Sequence, residues 1–248
     1  MNVFILAAGL GTRLKPITDT MPKALVPVDG RPLLQILIEK LKRECNDLSV
    51  VVNVHHFGQQ IIDFLKANDN FGIQMEVSDE RDMLLDTGGG IKKAARLFKN
   101  DEPVFIHNVD ILSDLNLANL YSRHLEDSQN GATLVVSDRK TSRYLLFDDG
   151  ERLAGWTNVD TGEVKSPYSE LDAEACRRHA FSGIHIMSRP LIEDMDGWGD
   201  KFSIIDFYLK ECDKTIIKGE VHNETRLLDV GKLNSLSLAE KMVKELSL

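Results

Sequence analysis

Val3-Phe4-Ile5-Leu6-Ala7 is apolar at every position and then breaks at Gly9. A strand that faced water on one side would alternate; continuous apolar side chains predict a strand buried on both faces in a parallel sheet. Working outward, residues 31–45 (RPLLQILIEKLKREC) place Leu34, Leu37, Ile38 and Leu41 at helical spacing with Pro32 near the start, which predicts an amphipathic helix. Leu48 to Val54 predicts the next buried strand, Gln59 to Lys66 a helix, Ile73 to Val77 a strand, Ile91 to Phe98 a helix and Val104 to His107 a strand. This alternation predicts an α/β fold, a Rossmann-like, doubly wound and mostly parallel sheet. Ligands of such sheets bind beyond the carboxyl ends of the strands.

The second half changes character. Residues 132–137, 143–147, 152–157 and 180–187 read as strands with little helix between them, separated in part by the turn signals Asp148-Asp149-Gly150 and Asp160-Thr161-Gly162. They predict an antiparallel elaboration on the sheet edge that walls the ligand cleft. Helices over 202–211 and 232–245 close the chain, and no hexapeptide array follows, so no left-handed β-helix domain is expected.

Composition narrows the partners. The 248 residues carry 30 basic and 39 acidic side chains, a formal charge of −9, which makes the chain a poor clamp for nucleic acid or an anionic bilayer. With 42% hydrophobic residues it can bury a sizeable core and is not a disordered or low-complexity chain. Cys45, Cys176 and Cys212 are an odd set without a C-x-x-C spacing, which suits a reducing compartment and neither a disulfide framework nor a zinc site. A cytoplasmic location is expected, since the apolar opening has no basic flank and is too short to be a signal peptide or membrane span.

The chemistry concentrates after the first strand, in Leu6-Ala7-Ala8-Gly9-Leu10-Gly11-Thr12-Arg13-Leu14, continuing through Pro16 and Thr18 to Pro22-Lys23-Ala24-Leu25-Val26-Pro27-Val28. Glycines at alternate positions let bare backbone approach a ligand and turn its N–H groups inward as an anion nest. Arg13 adds a planar fork of donors and Lys23 a point charge. Taken alone, the glycines read equally well as a tight turn beside two solvated cations. Leu14 stands where a dinucleotide fingerprint needs its third glycine, and the Gly-Lys-Ser/Thr of a Walker loop is missing. Two further strand ends carry acids, Val104-Phe105-Ile106-His107-Asn108-Val109-Asp110 and Arg226-Leu227-Leu228-Asp229-Val230-Gly231, and each aspartate alone also suits a turn or N-cap. Leu85-Asp86-Thr87-Gly88-Gly89-Gly90 reads as a connection before a helix, and Gly183 in Phe181-Ser182-Gly183-Ile184-His185-Ile186 as a bulge or as backbone facing a ligand.

Taken whole, Leu6 to Val28 resembles the signature of the sugar-nucleotide transferases, which join a nucleoside triphosphate to a sugar 1-phosphate. The resemblance implies that Ala7, Ala8, Gly9, Gly11, Thr12 and Arg13 hold the triphosphate, and that Lys23 contacts phosphates during transfer. Asp110 matches the aspartate ending the family's Asn-Gly-Asp-like motif, with Val109 in place of a small residue, which would hold the loop slightly further from the ligand. Asp229 matches the family's Asp-Val-Gly motif, so both aspartates are implied metal ligands, and Arg13, Lys23 and Asp110 the catalytic set. Transfer to an already anionic oxygen needs charge neutralisation and alignment more than acid–base chemistry, and Mg²⁺ held by one or two carboxylates is the expected cofactor.

The 85–90 stretch looks like the Glu-Thr-Gly-Gly-Gly of the N-acetylmuramate 1-phosphate uridylyltransferase branch, with Asp86 for Glu. That implies Asp86, Thr87 and Gly88 as nucleotide-binding residues, with the glycine backbone flat against the base. Phe181 to Ile184 resembles a Phe-x-Gly-Ile stretch of the family's sugar-binding half, implying Asn108 and Gly183 as sugar contacts. The family's sugar-phosphate lysine has no counterpart in Leu153 to Asn158, and Lys165 is the stand-in. The expected organisation is one domain over 1–248, a nucleotide-binding half at 1–110 and a sugar-binding half at 111–248. The expected substrates are UTP and N-acetylmuramate 1-phosphate, with guanylyl transfer to mannose 1-phosphate, or another hexose 1-phosphate, the alternative. A catalytically silent, nucleotide-sugar-binding relative is the rival of another class, and it would be expected to lose Arg13, Lys23, Asp110 or Asp229. The sequence carries no signal for oligomeric state. His55-His56 reads as a surface pair, Trp156 and Trp198 as partly buried packing, and Asp79, Glu80 and Asp82 as a solvated acidic loop.

Overall fold

Strand β1 (Asn2–Leu6) lies between two parallel neighbours, β4 (Ser49–Val54) and β6 (Val104–Asn108), in a computed structural model that describes residues 1–127, 129–246 and 248. The remaining strands are β2 (Pro27–Val28) and β3 (Arg31–Pro32), a short hairpin, with β5 (Gln74–Asp79), β7 (Ile111–Ser113), β8 (Asn130–Ser137), β9 (Arg143–Phe147), β10 (Leu153–Asn158), β11 (Glu163–Lys165), β12 (Arg177–Met187), β13 (Ile216–Val221) and β14 (Leu227–Asp229). The main sheet runs β11-β10-β9-β12-β6-β1-β4-β5, with β8 and β13 added beside β12. β5, β4, β1 and β6 are parallel; β12 joins β6 antiparallel, and β9 and β8 both pair antiparallel with β12. This is the expected α/β architecture, a parallel half continued by an antiparallel one.

The helices are α1 (Leu33–Glu44), α2 (Gly58–Ala67), α3 (Asp86–Ala94), α4 (Leu117–Glu126), α5 (Arg189–Glu193), α6 (Ile204–Glu211) and α7 (Leu236–Leu246). They cover both faces of the sheet, which is why β1 is apolar from Val3 to Leu6. Val3 and Ile5 enter the core formed with Leu34, Leu37 and Ile38 of α1, Ile61 of α2 and Leu120 of α4, while Phe4 points the other way, into a core with Ile91 of α3 and Phe207 of α6. Each such large side chain taken out of water contributes about 1.5–3 kcal/mol. A third cluster joins Leu14 and Val26 of the signature segment to Val230 and to Ala239, Met242 and Val243 of α7. The last helix thus clamps the Arg13 loop and the Asp229 strand end into one unit.

One helix adds to the expected elements and two readings are corrected. Among the described residues no helix lies between β8 and β12, as expected, but α4 precedes them without having been expected; Leu117, Leu120, Tyr121 and His124 form its buried stripe and Asn116 caps it by accepting from the Asn119 N–H (2.8 Å). The glycines at 88–90 are inside α3 rather than in a connection before it. β13 runs parallel to β8, so the second half is not wholly antiparallel. Among the described residues no helix is long and apolar enough to cross a membrane.

Candidate active site

The carboxyl ends of β1, β4 and β6 open onto one cleft of three joined compartments. The first, about 420 Å³, is lined by Ala7, Ala8, Gly9, Asn53, Asp86 and Lys23 among others. It shares Thr87, Asn108 and Asp110 with the second, about 580 Å³, which holds Arg13, Gly183 and Asp229. The second shares Arg139, Phe181 and Ile205 with the third, about 340 Å³. The crevice lies where the strand order reverses around β1, the switch point at which doubly wound sheets take ligands.

The loop after β1 is anchored from below. Asn53, 1% exposed among the valines of β4, accepts through Oδ1 from the N–H groups of Ala7 (2.6 Å) and Ala8 (3.1 Å). Those two N–H groups are therefore not available to a phosphate, a correction to the expectation that they form part of the nest. Asn53 Nδ2 in turn donates to Glu80 Oε1 (2.8 Å). Glu80 is 1% exposed, not part of a solvated loop, and burial pushes its carboxyl above the usual range. Gly90 makes room for this pair, since a Cβ there would lie 3.0 Å from Glu80 Oε1 and 3.1 Å from Asn53 Nδ2. The signal for Asn53 was in the sequence: one amide inside Val50 to Val54, which a two-face-buried strand tolerates only if it is fully hydrogen-bonded.

Gly11 has a left-handed backbone (φ 64°), and a Cβ there would come within 2.8 Å of the Thr18 methyl and 3.1 Å of Lys23 Cβ. Its glycine is required by the turn and by the Lys23 segment folded against it, rather than by phosphate space directly. At Gly9 a Cβ would meet nothing within 4 Å, so this is the glycine beside open cleft. Thr12 begins the short helical turn Thr12–Leu14, whose Leu14 is fully buried.

Four charges meet where the first and central compartments join. Lys23 and Asp110 form a close ion pair, 11% and 14% exposed. Arg13 Nη2 lies 3.8 Å from Asp229 Oδ2. Burial and the neighbouring Asp110 carboxylate raise the Asp229 carboxyl above its ordinary range, while Lys23 and Arg13 pull it down. Two carboxylates pressed together at a cleft wall are an electrostatic cost that a hard divalent cation relieves. Among the described residues no third His, Cys, Asp or Glu completes a closed cage. The donor set, oxygen-only and open-sided, fits Mg²⁺, which keeps positions for water and phosphate. Val109 is buried with its N–H on the Leu6 carbonyl (3.1 Å), so its bulk goes into the core under the loop.

At the base end, Asp86 and Thr87 line the cleft but Gly88 does not. A Cβ on Gly88 would strike the Phe202 ring at 2.4 Å, and one on Gly89 the Asp200 carbonyl at 2.1 Å. The N–H groups of both donate to the Phe202 carbonyl (2.9 and 3.3 Å). The glycine run therefore seats α3 against residues 200–202 instead of lying flat against a base. Thr87 Oγ1 accepts from the Ile204 N–H (2.9 Å), tying α3 to the start of α6.

On the sugar side Gly183 (φ 80°) sits at an irregularity of β12 against β8, and a Cβ there would meet Asn108 Nδ2 at 2.4 Å. The bulge and the contact with Asn108 are thus one feature, and both residues line the central compartment. Lys165, opposite Trp156 in the β10–β11 pair, reaches the third compartment with its ammonium 5.2 Å from the Trp156 ring centroid. Trp198 packs on Phe202 and Phe207, away from the cleft. His55 and His56 are half-buried rather than a free surface pair, His55 Nδ1 lying 2.7 Å from the Glu80 carbonyl. Arg139, Lys201 and Lys232 line the cleft and carried no sequence motif.

Residues 2–154 match the family model described as nucleotidyl transferase. The N-acetylmuramate α-1-phosphate uridylyltransferase of Caulobacter vibrioides is 43% identical over 210 residues, which are 82% of this chain and 81% of that protein. The UTP–glucose-1-phosphate uridylyltransferase of a Synechocystis species is 28% identical over 246 residues, 94% of this chain but 61% of that longer protein. A crystal structure of UDP-glucose pyrophosphorylase complexed with UDP-glucose superposes with a TM-score of 0.74 at 17% identity, over 98% of both chains. Signature loop, sheet order and sequence likeness converge: the chain belongs to the nucleotidyl transferase family, among its sugar-1-phosphate nucleotidyltransferases.

Proposed function

We propose that this protein transfers UMP from UTP to N-acetylmuramate 1-phosphate and releases pyrophosphate. The observation that carries the reading is the central cluster, where Lys23, Arg13, Asp110 and Asp229 meet between a compartment beneath the β1 loop and one beside Gly183. In-line attack of the sugar phosphate oxygen on the α-phosphorus breaks the bond to the pyrophosphate. Both reactants are anionic, so the protein has to neutralise charge and hold the two in line. Lys23 and Arg13 supply the cations. The nest at Gly9, Gly11 and Thr12 receives the triphosphate, Asp86 and Thr87 face the nucleoside, and Asn108 and Gly183 the sugar. Asp110 and Asp229 would hold Mg²⁺, which when bound neutralises charge on the transferring phosphate.

The choice of uridine rests on the 43% identical relative and not on the glycine run, whose N–H groups are taken by Phe202. Residues 1–248 are read as one domain, nucleotide half 1–110 and sugar half 111–248, and the free thiols Cys45, Cys176 and Cys212 suit a reducing cytoplasm. The test is pyrophosphate release from a panel of nucleoside triphosphates against sugar 1-phosphates. UTP with N-acetylmuramate 1-phosphate is expected to give the highest kcat/KM. A preference for GTP above about tenfold, some 1.4 kcal/mol, would reject the uridylyl assignment.

A further inference from the structure

We infer that the third compartment is a subsite for a carboxylate carried on the ring of the acceptor sugar 1-phosphate, with Arg143 and Arg139 as its recognising groups; this rests on the sugar reading of the Gly183 region. The compartment opens from the central one across Arg139, Phe181 and Ile205, on the side away from the nucleotide loop. An acceptor whose phosphate lies at the Lys23–Asp110–Asp229 cluster, and whose ring lies at Asn108 and Gly183, directs its far ring substituents there.

Its lining is unusual for an acidic chain. Three cations, Arg139, Arg143 and Lys165, face one carboxylate, Asp206. Lys165 is already compensated, 3.8 Å from both Glu163 and Asp206 and resting over Trp156. Arg139 donates from Nη2 to the Phe181 carbonyl (3.0 Å), which orients its guanidinium and leaves its other donors unused. Among the described residues the Arg143 guanidinium has no hydrogen-bond or ion-pair partner. Trp156 and Tyr144 complete the walls with surfaces suited to the C–H faces of a sugar or its substituent. An uncompensated planar guanidinium in a half-enclosed, aromatic-walled space matches a carboxylate in shape and charge. The sugar's own phosphate already has cations at the centre of the cleft, so the second anion belongs to the ring.

The readout is the ratio of kcat/KM for N-acetylmuramate 1-phosphate over N-acetylglucosamine 1-phosphate, which lacks the ring carboxylate. The wild-type ratio is expected to exceed about ten, and Arg143→Ala or Arg139→Ala to lower it about 10- to 100-fold, the usual effect of losing a hydrogen bond to a charged group. Arg143→Lys, which keeps charge without the fork, should retain part of the ratio. A ratio near one in the wild type overturns the inference, as does an equal loss with both acceptors, which would make the arginines phosphate contacts. Calorimetry with the same two sugar phosphates reads the same discrimination as affinities. Binding discrimination without pyrophosphate release would count against the transferase reading alone, and absent binding discrimination against the subsite.

Discussion

Asn53→Asp tests the buried support of the loop. Asn53 Oδ1 receives the Ala7 and Ala8 N–H groups while its Nδ2 donates to Glu80 at 2.8 Å. Aspartate keeps the acceptor and replaces the donor by an oxygen, so two carboxyl groups face each other where Glu80 is 1% exposed. If both stayed ionised, 332/(20 × 2.8) gives a repulsion of about 6 kcal/mol at an effective dielectric of about 20. Taking up one proton costs less: with an unfolded pKa of about 4.3, holding it at pH 7 costs about 1.36 × (7 − 4.3), or ~3.7 kcal/mol. Protonation therefore wins. The figure is a ceiling, because burial already raises Glu80 in the wild type and part of the cost is present there.

The sign follows from linkage. A carboxyl whose folded-state pKa is raised gives its full stability below the unfolded pKa and loses it as pH rises toward the folded one. Asn53→Asp should be destabilised by about 2–4 kcal/mol near pH 7 and by about 1 kcal/mol near pH 5. Urea unfolding followed by circular dichroism across that range measures it. Adding Glu80→Gln restores one donor facing one acceptor, with their direction reversed, and should recover most of the loss at neutral pH. A pH-independent deficit, or a double variant no better than the single one, would refute the proton-sharing argument.

Asp110→Asn and Asp229→Asn should each remove most turnover while the protein stays folded, with the thermal midpoint lowered more by Asp110→Asn, which strands the nearly buried Lys23, than by the half-exposed Asp229→Asn; near-normal pyrophosphate release by either excludes that residue from the site. Lys23→Ala should slow transfer about 10²- to 10³-fold, as for loss of one preorganised charge donor in a closed site; single-turnover rates at saturating substrate decide it. Gly88→Val forces a side chain into the Phe202 ring 2.4 Å from the Cβ position, and should cost about 1–3 kcal/mol of stability; an unchanged melting temperature would show that α3 does not depend on that contact. Chelating magnesium should weaken UTP binding at least about tenfold by calorimetry, and equal affinity with and without the metal would contradict the pairing of charges in the cleft.

The parallel half was legible because its signal is local. Val3 to Leu6 and Val50 to Val52 are apolar on both faces, and α1 shows a clear buried stripe. The same logic should have found α4, whose Leu117, Leu120, Tyr121 and His124 keep helical spacing; His124 at the last position masks the period because histidine does not read as apolar. Asp110 and Asp229 were legible as acids at strand ends, but not their meeting, which depends on β14 pairing with β7 across more than a hundred residues. Glu80 was misread because its neighbours Asp79 and Arg81 are exposed and pair with each other, while Glu80 alone turns inward to Asn53. Arg139 and Arg143 had no motif at all; what brings them together is the bend between β8 and β9.

The central cluster explains why the cations and the carboxylates occur together. Lys23 and Asp110 are nearly buried and satisfy one another, as Arg13 and Asp229 do more loosely. Removing one member of a buried pair strands the other, at a cost of about 3–5 kcal/mol. A triphosphate alone would draw Lys23 away and leave Asp110 bare; a divalent cation alone would satisfy Asp110 and leave Lys23 without an anion. On the proposed reading, the two arriving together would exchange partners, phosphate for Lys23 and metal for Asp110, and leave no buried charge uncompensated. The second carboxylate would strengthen the coupling, because Asp229, raised by burial and by its neighbour Asp110, would be the more easily ionised with a bound cation to offset that repulsion. On that reading the ion pairs would be stand-ins for the ligands, each charge held at the edge of the cleft by the opposite charge it would give up on binding.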